Sequence, residues 1–186
     1  MHFFIKMRKQ LEQKIEIPDG VEVKIEKNLV NVKGSEGELK REFNFRELNV
    51  KVVGNEIIIS HKKATKREKK EMNTFAAHLR NMIKGVNETF VYTLKICFSH
   101  FPFTVELKDN EAIIKNFLGE KISRKANIPK GANVEIKGQD ITITALDKEV
   151  VGQAAANFEK ATRITGRDRR VFQDGIFITN KGGKEI

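Results

Sequence analysis

The chain repeats itself, and that repetition limits its architecture more than any single motif. Laid 82 positions along, VEVKIEKNLVNVKGSEGE from Val21 falls on FTVELKDNEAIIKNFLGE from Phe103. Val23 meets Val105, Asn28 meets Asn110, Lys33 meets Lys115, and Gly37-Glu38 meets Gly119-Glu120. At an offset of 84, VKVVGNEIIIS from Val50 falls on VEIKGQDITIT from Val134, and Val50, Gly54, Ile57 and Ile59 recur as Val134, Gly138, Ile141 and Ile143. A duplicated pattern predicts two copies of one small fold.

Each copy carries the same local physics. VEVKI, NLVNV and GELKREF alternate apolar and polar residues, the period of strands with one buried face. Asn28, Gly37 and Gly54-Asn55 supply turn chemistry between them, and Gly138-Gln139-Asp140 repeats the hairpin turn in the second copy. The period then changes. Met72, Phe75, Ala76, Leu79 and Met82 fall on one helical stripe, and Val151, Ala154, Ala155, Phe158 and Ala161 repeat its offsets. Gly85 and Gly166 read as the helix stops. A sheet with one covering helix completes a small core, so the expected fold is α+β: a tandem duplication, each copy an antiparallel or mixed sheet under one helix. The expected organisation is an N-terminal extension over 1–14, a first repeat over 15–99, a second over 100–179, and a basic glycine-rich tail over 180–186. The join is expected near Ser99 to Phe101, where TFVYTLKICF ends and Pro102 opens the second copy.

Composition narrows the partners. With 39% hydrophobic and 32% charged residues, the chain can bury one medium core or two small ones. Its 35 Lys and Arg against 25 Asp and Glu leave a formal charge of +10, which favours polyanions. No stretch approaches the roughly 18 apolar residues that span a bilayer, so the expected polyanion is nucleic acid and no membrane partner is expected. The opening MHFFIKM has too short an apolar patch for a secretory core and reads as a short leader, with Met7 a candidate start. The single Cys97 cannot form an internal disulfide and reads as a half-buried strand residue in a reducing cytoplasm.

Catalytic constellations are missing. There is no G-x-x-x-x-G-K, no G-x-G-x-x-G after a strand, no Cys pair and no H-E-x-x-H, and no cofactor is expected. His2, His61, His78 and His100 are scattered, and His78 reads as a surface or rim residue of the first helix. An RNA-processing nuclease would need acids clustered for a metal, or a nucleophile with a base. A general single-strand binder or RNA chaperone would need exposed aromatics, against 8% aromatic here.

The signal is clustered positive charge. HKKATKREKK holds Lys62, Lys63, Lys66, Arg67, Lys69 and Lys70 against one acid, Glu68, at a helix start where the dipole disfavours cations. This is an expected secondary contact to phosphate. In the second copy Lys160, Arg163, Arg167, Arg169 and Arg170 face only Asp168 between residues 160 and 172, and the planar guanidinium grips phosphate oxygens in two places. Gly166 lets the backbone turn there, and Gly182-Gly183 between Lys181 and Lys184 would admit a closely approaching strand of RNA. Phe172 can stack on a base or pack on its own sheet, and the packing role is preferred.

These residues carry a resemblance. The duplication, the run DKEVVGQAAANFEKATRI from Asp147 to Ile164, and the closing RDRRVFQDGIFI from Arg167 to Ile178 together resemble the large-subunit ribosomal protein six family in its archaeal and eukaryotic form, called large-subunit protein nine in eukaryotes. The resemblance spans nearly the whole chain from Ile15. A bacterial member is expected to close with a different, proline-containing basic motif, so the archaeal form is preferred. The resemblance implies a structural role in the cytoplasm: direct binding of large-subunit rRNA near the sarcin-ricin loop and the stalk base, beside neighbouring ribosomal proteins and the translation factors that dock there. It carries the main RNA contact to the second copy, on Gln153, Arg163, Arg167, Arg169, Arg170 and the tail Lys181 to Lys184.

Overall fold

Period-2 and period-3.6 segments become strands and helices where expected in the computed structural model, which describes residues 9–26, 28–44 and 48–186. The candidate leader, with Met7 and His2, lies outside the described residues. The chain forms two compact units, one running to Glu88 and one over Thr89–Ile186. The first contains strands β1 (Lys9–Glu16), β2 (Glu22–Glu26), β3 (Leu29–Lys33), β4 (Glu38–Glu42), β5 (Asn49–Val53) and β6 (Glu56–Ala64), then helix α1 (Lys66–Asn87). The second contains β7 (Phe90–Cys97), β8 (Thr104–Lys108), β9 (Glu111–Lys115), a short 3-10 turn (Phe117–Gly119), β10 (Arg124–Asn127), β11 (Asn133–Lys137), β12 (Asp140–Ala145), helix α2 (Lys148–Ala161), β13 (Gly175–Lys181) and β14 (Lys184–Glu185).

Each unit has two sheets and one helix. The first pairs its strands as β1-β6-β5 and β2-β3-β4, the second as β11-β12-β7-β13-β14 and β10-β9-β8. Pairing among the described residues is antiparallel throughout. The two-residue turns at Gly54-Asn55 and Gly138-Gln139 close equivalent hairpins, and both glycines take positive φ, 59° and 63°. Both helical stripes face inward: Met72, Phe75, Ala76, Leu79 and Met82 are buried in one core, and Val151, Ala154, Ala155 and Phe158 in the other, with Ala161 half-buried. Burying each large apolar side chain contributes about 1.5–3 kcal/mol, and the two stripes supply the apolar face by which each helix packs on its unit's core.

The units divide between Glu88 and Thr89, not near Ser99 to Phe101. The reason is pairing. β7 lies beside β12 as β1 lies beside β6, so TFVYTLKICF opens the second copy instead of closing the first. One hydrogen bond marks the equivalence: Ile17 N–H donates to Asn55 O at 2.8 Å, and Ile96 N–H to Gln139 O at 2.8 Å. By the same logic residues 9–14 are not an extension, because Lys9 to Glu16 pairs along β6. The basic glycine-rich segment 180–186 is itself paired, Asn180 with Glu185 and Lys181 with Lys184. Gly182 and Gly183, at φ 59° and 88°, form the turn that pairs Lys181 with Lys184, so their backbone freedom serves a β-hairpin.

Gly85 does not stop α1, which runs on to Asn87 and ends at Glu88. Its last turn is held by the β3–β4 connection: Glu36 N–H donates to Val86 O at 2.9 Å. Gly34 makes that approach possible, since a Cβ there would stand 2.6 Å from Val86 O.

Candidate nucleic-acid interface

The copies differ most in the connection leaving the helix. α1 is joined to β7 by Glu88 and Thr89 alone, whereas α2 is joined to β13 by residues 162–174, the segment holding the four arginines. Asp147 caps α2, accepting from Glu149 N–H at 2.8 Å. With the apolar stripe buried, Gln153 and Lys160 are left on the exposed side. Gln153 donates to Asn157 Oδ1 at 2.8 Å, and Asn157 donates in turn to Asn127 O at 2.7 Å.

The far end of α2 is stapled. Buried Thr162 donates its hydroxyl to Phe158 O at 3.2 Å and accepts from Ile176 N–H at 2.9 Å, tying the helix end to the start of β13. Arg124 lies with its guanidinium 4.4 Å from the Phe117 ring centre. It donates through Nη1 to Ala161 O at 3.0 Å and Arg163 O at 3.2 Å, and through Nε to Glu120 Oε2 at 2.8 Å. A cation is favoured at those helix-end carbonyls.

The arginine turn has its own internal bonds. Gly166 takes φ +73°, and Asp168 O accepts from Val171 N–H at 3.2 Å and Phe172 N–H at 2.9 Å, while its carboxylate accepts from Arg170 N–H at 2.9 Å. Arg167 sits 4.7 Å from the ring centre of Phe172, which stacks at 4.5 Å and 16° on His100. Phe172 is half-buried against the core, so it packs within its own unit. Glu120 titrates below the usual carboxylate range, first through its hydrogen bonds from Arg124, with a smaller pull from Arg167.

Asp174 closes the turn, and its side chain is only 1% exposed. Burial alone would raise its pKa, but hydrogen bonds from His100 N–H at 3.1 Å, the His100 ring at 2.6 Å and Ser99 N–H at 2.7 Å outweigh that and hold it at about 2. The turn is therefore bracketed by hydrogen bonds at both ends. Arg163, Arg167, Arg169 and Arg170 stand exposed on it, and Lys160, Arg163, Arg169 and Arg170 form no ion pair among the described residues.

Beneath the turn an open cleft of about 880 Å³ runs between α2 and β13. Lys160, Arg163 and Arg169 line it together with Cys97, Ile164, Ile176 and Phe177. The structure thus gathers Lys160, Arg163 and Arg169 on one cleft, with Arg167 and Arg170 on the same turn. It does not bring the hairpin to them. Lys181, Gly182, Gly183 and Lys184 are exposed at the other end of β13, about 20 Å away at the usual rise per strand residue.

In the first unit the basic run is split. Lys62 and Lys63 are exposed near the end of β6, and Lys66, Arg67, Lys69 and Lys70 stand on the opening of α1. Thr65 and Glu68 form a reciprocal capping box, and Glu68 is held at about pKa 2, first by the Thr65 hydroxyl and then by the Thr65 N–H. That carboxylate supplies the negative charge the helix start requires. Arg67 pairs with Glu71 at 3.2 Å, while the lysines remain open to solvent.

Arg124, His100 and Asp174 hold the arginine turn in place, yet none stands out in the sequence. Each acts on a residue far along the chain, and only their polarity beside apolar strand ends hinted at a partner. Among the described residues no helix is long and apolar enough to cross a membrane.

Comparison with known proteins agrees with the duplication. The family model for ribosomal protein L6 matches residues 17–89 and 101–175, one stretch per repeat. The chain is 45% identical over 171 residues to the large ribosomal subunit protein uL6 of Methanobrevibacter smithii, covering 92% of this chain and 96% of that one. It is 41% identical over 176 residues to the protein of the same name from Methanococcus vannielii, covering 95% and 97%. A third, from Methanothrix thermoacetophila, is 42% identical over 175 residues, covering 94% and 99%. Matched in both repeats and at such identity along nearly its full length, this chain belongs to the ribosomal protein L6 family.

Proposed function

We propose that the protein is a structural constituent of the large ribosomal subunit that binds rRNA directly near the sarcin-ricin loop and the stalk base, where translation factors dock. It performs no chemistry. Large-subunit rRNA and neighbouring ribosomal proteins are its partners, and the cytoplasmic subunit is its location. The observation that carries this reading is the arginine turn, which presents four exposed guanidinium groups on a backbone tied at one end by Thr162 and Arg124 and at the other by Asp174.

A fixed row of cations suits RNA. The A-form major groove is too deep for side chains, so recognition runs through phosphates and 2′-hydroxyls, and a rigid turn loses little entropy on meeting them. Lys62, Lys63, Lys66, Lys69 and Lys70 add a second, looser phosphate contact, with Lys181 and Lys184 at the hairpin a third. Linked contacts of this kind sum to firm binding.

The test replaces Arg167, Arg169 and Arg170 with glutamine and measures binding to an rRNA fragment containing the sarcin-ricin and stalk-base helices as a function of salt. Each lost phosphate contact lowers the slope of log affinity against log salt by about 0.7–0.9. Unchanged affinity and slope would remove the turn from the interface.

A further inference from the structure

The cleft under the arginine turn has a composition that phosphate binding alone does not require. Ile164 and Ile176 are buried at its floor and Phe177 stands 46% exposed on its wall, an apolar lining in a strongly cationic neighbourhood. Its two carboxylates are already engaged. Asp174 is consumed by Ser99 and His100, and Glu159 accepts from Ile178 N–H at 3.2 Å. Lys160, Arg163 and Arg169 form no ion pair with either carboxylate, so on the cleft three cations stand against two carboxylates whose hydrogen bonds are made elsewhere.

Resting on the RNA-binding reading above, we propose that this cleft is a nucleotide pocket: it takes one unpaired nucleotide turned out of the bound RNA. The apolar lining receives the base, and the three cations hold its flanking phosphates. An apolar floor with a few convergent charged groups at about 880 Å³ is the composition of a small-ligand site. Charge selects the class of ligand: a base with phosphates on either side matches an apolar floor beneath cations, whereas a fully paired helix offers the cleft only phosphates. Arg124 and Thr162 are positioning residues, since they fix the helix end from which Arg163 springs.

Cys97 makes the proposal measurable, because it is the only cysteine in the sequence and lines the cleft. Two short RNA duplexes serve as probes, identical except that one carries a single unpaired adenosine. The bulged duplex is expected to bind the full chain about tenfold more tightly, within the range of base-aromatic stacking. It should slow alkylation of Cys97, while the paired duplex should not. Ala156→Trp fills the cleft from an exposed lining position on α2, and Phe177→Ala strips its wall; each should bring the ratio of affinities close to one and leave binding of the paired duplex intact. Equal affinity of the unaltered chain for both duplexes, or unprotected Cys97 in the bulged complex, overturns the pocket and leaves the phosphate clasp standing. Failure of either duplex to bind at low salt overturns both.

Discussion

His100 and Asp174, 74 positions apart in the chain, meet at 2.6 Å between ring Nδ1 and carboxylate Oδ2, and the same carboxylate takes the His100 N–H at 3.1 Å. The contact joins the end of β7 to the end of the arginine turn. The His100 ring then stacks on Phe172, over which Arg167 lies, so one buried carboxylate sets the position of an exposed cation through two rings.

That arrangement should be visible in acid. The folded pKa of Asp174 is about 2 against an ordinary 3.8, so its contribution, about 2 kcal/mol, is present above pH 4 and is lost as pH falls toward 2. Urea unfolding of Asp174→Asn should show a deficit of about 2 kcal/mol at pH 6 that shrinks by pH 2. A deficit independent of pH would assign the role to packing instead.

Two glycines should respond oppositely to alanine. At Gly34 the new Cβ would stand 2.6 Å from Val86 O and 2.8 Å from its Cγ2, both in the fixed last turn of α1, so Gly34→Ala should cost about 1–3 kcal/mol. At Gly152, inside α2, nothing lies within 4 Å of the added atom, and Gly152→Ala should stabilise by about 0.5–1 kcal/mol through helix propensity. Thermal unfolding of the two variants checks both signs.

Arg124 should tolerate neither loss nor exchange. Its fork serves two carbonyls and Glu120 while its plane covers Phe117, a geometry an ammonium cannot reproduce. Arg124→Lys should lose about 1–2 kcal/mol, and hydrogen exchange should speed up from Thr162 to Gly166. RNA affinity should fall with it, although Arg124 itself is not proposed to touch RNA.

The two cationic regions should differ in weight. Replacing Lys62, Lys63, Lys66, Lys69 and Lys70 with glutamine should lower the salt slope but weaken rRNA binding less than the Arg167, Arg169 and Arg170 triple, because mobile ammonium groups give up less than bidentate guanidinium groups on a fixed turn. Parallel salt titrations of the two variants decide this.

The duplication, the strand segments and both helical stripes were legible in the sequence because they depend on local period, and burial follows period wherever one face of an element is covered. So was the concentration of arginine after α2, since charge needs no partner to be counted. Tertiary structure decided the features that depend on pairing across long separations. β7 joins the second copy because its edges match β12 and β13, Gly85 stays helical because Gly34 admits the last turn of α1, and the glycine-rich end becomes a hairpin because Lys181 faces Lys184. Arg124, His100 and Asp174 became visible as supports of the turn only once the fold had brought them to it, because a hydrogen bond depends on proximity in space and leaves no period in the chain.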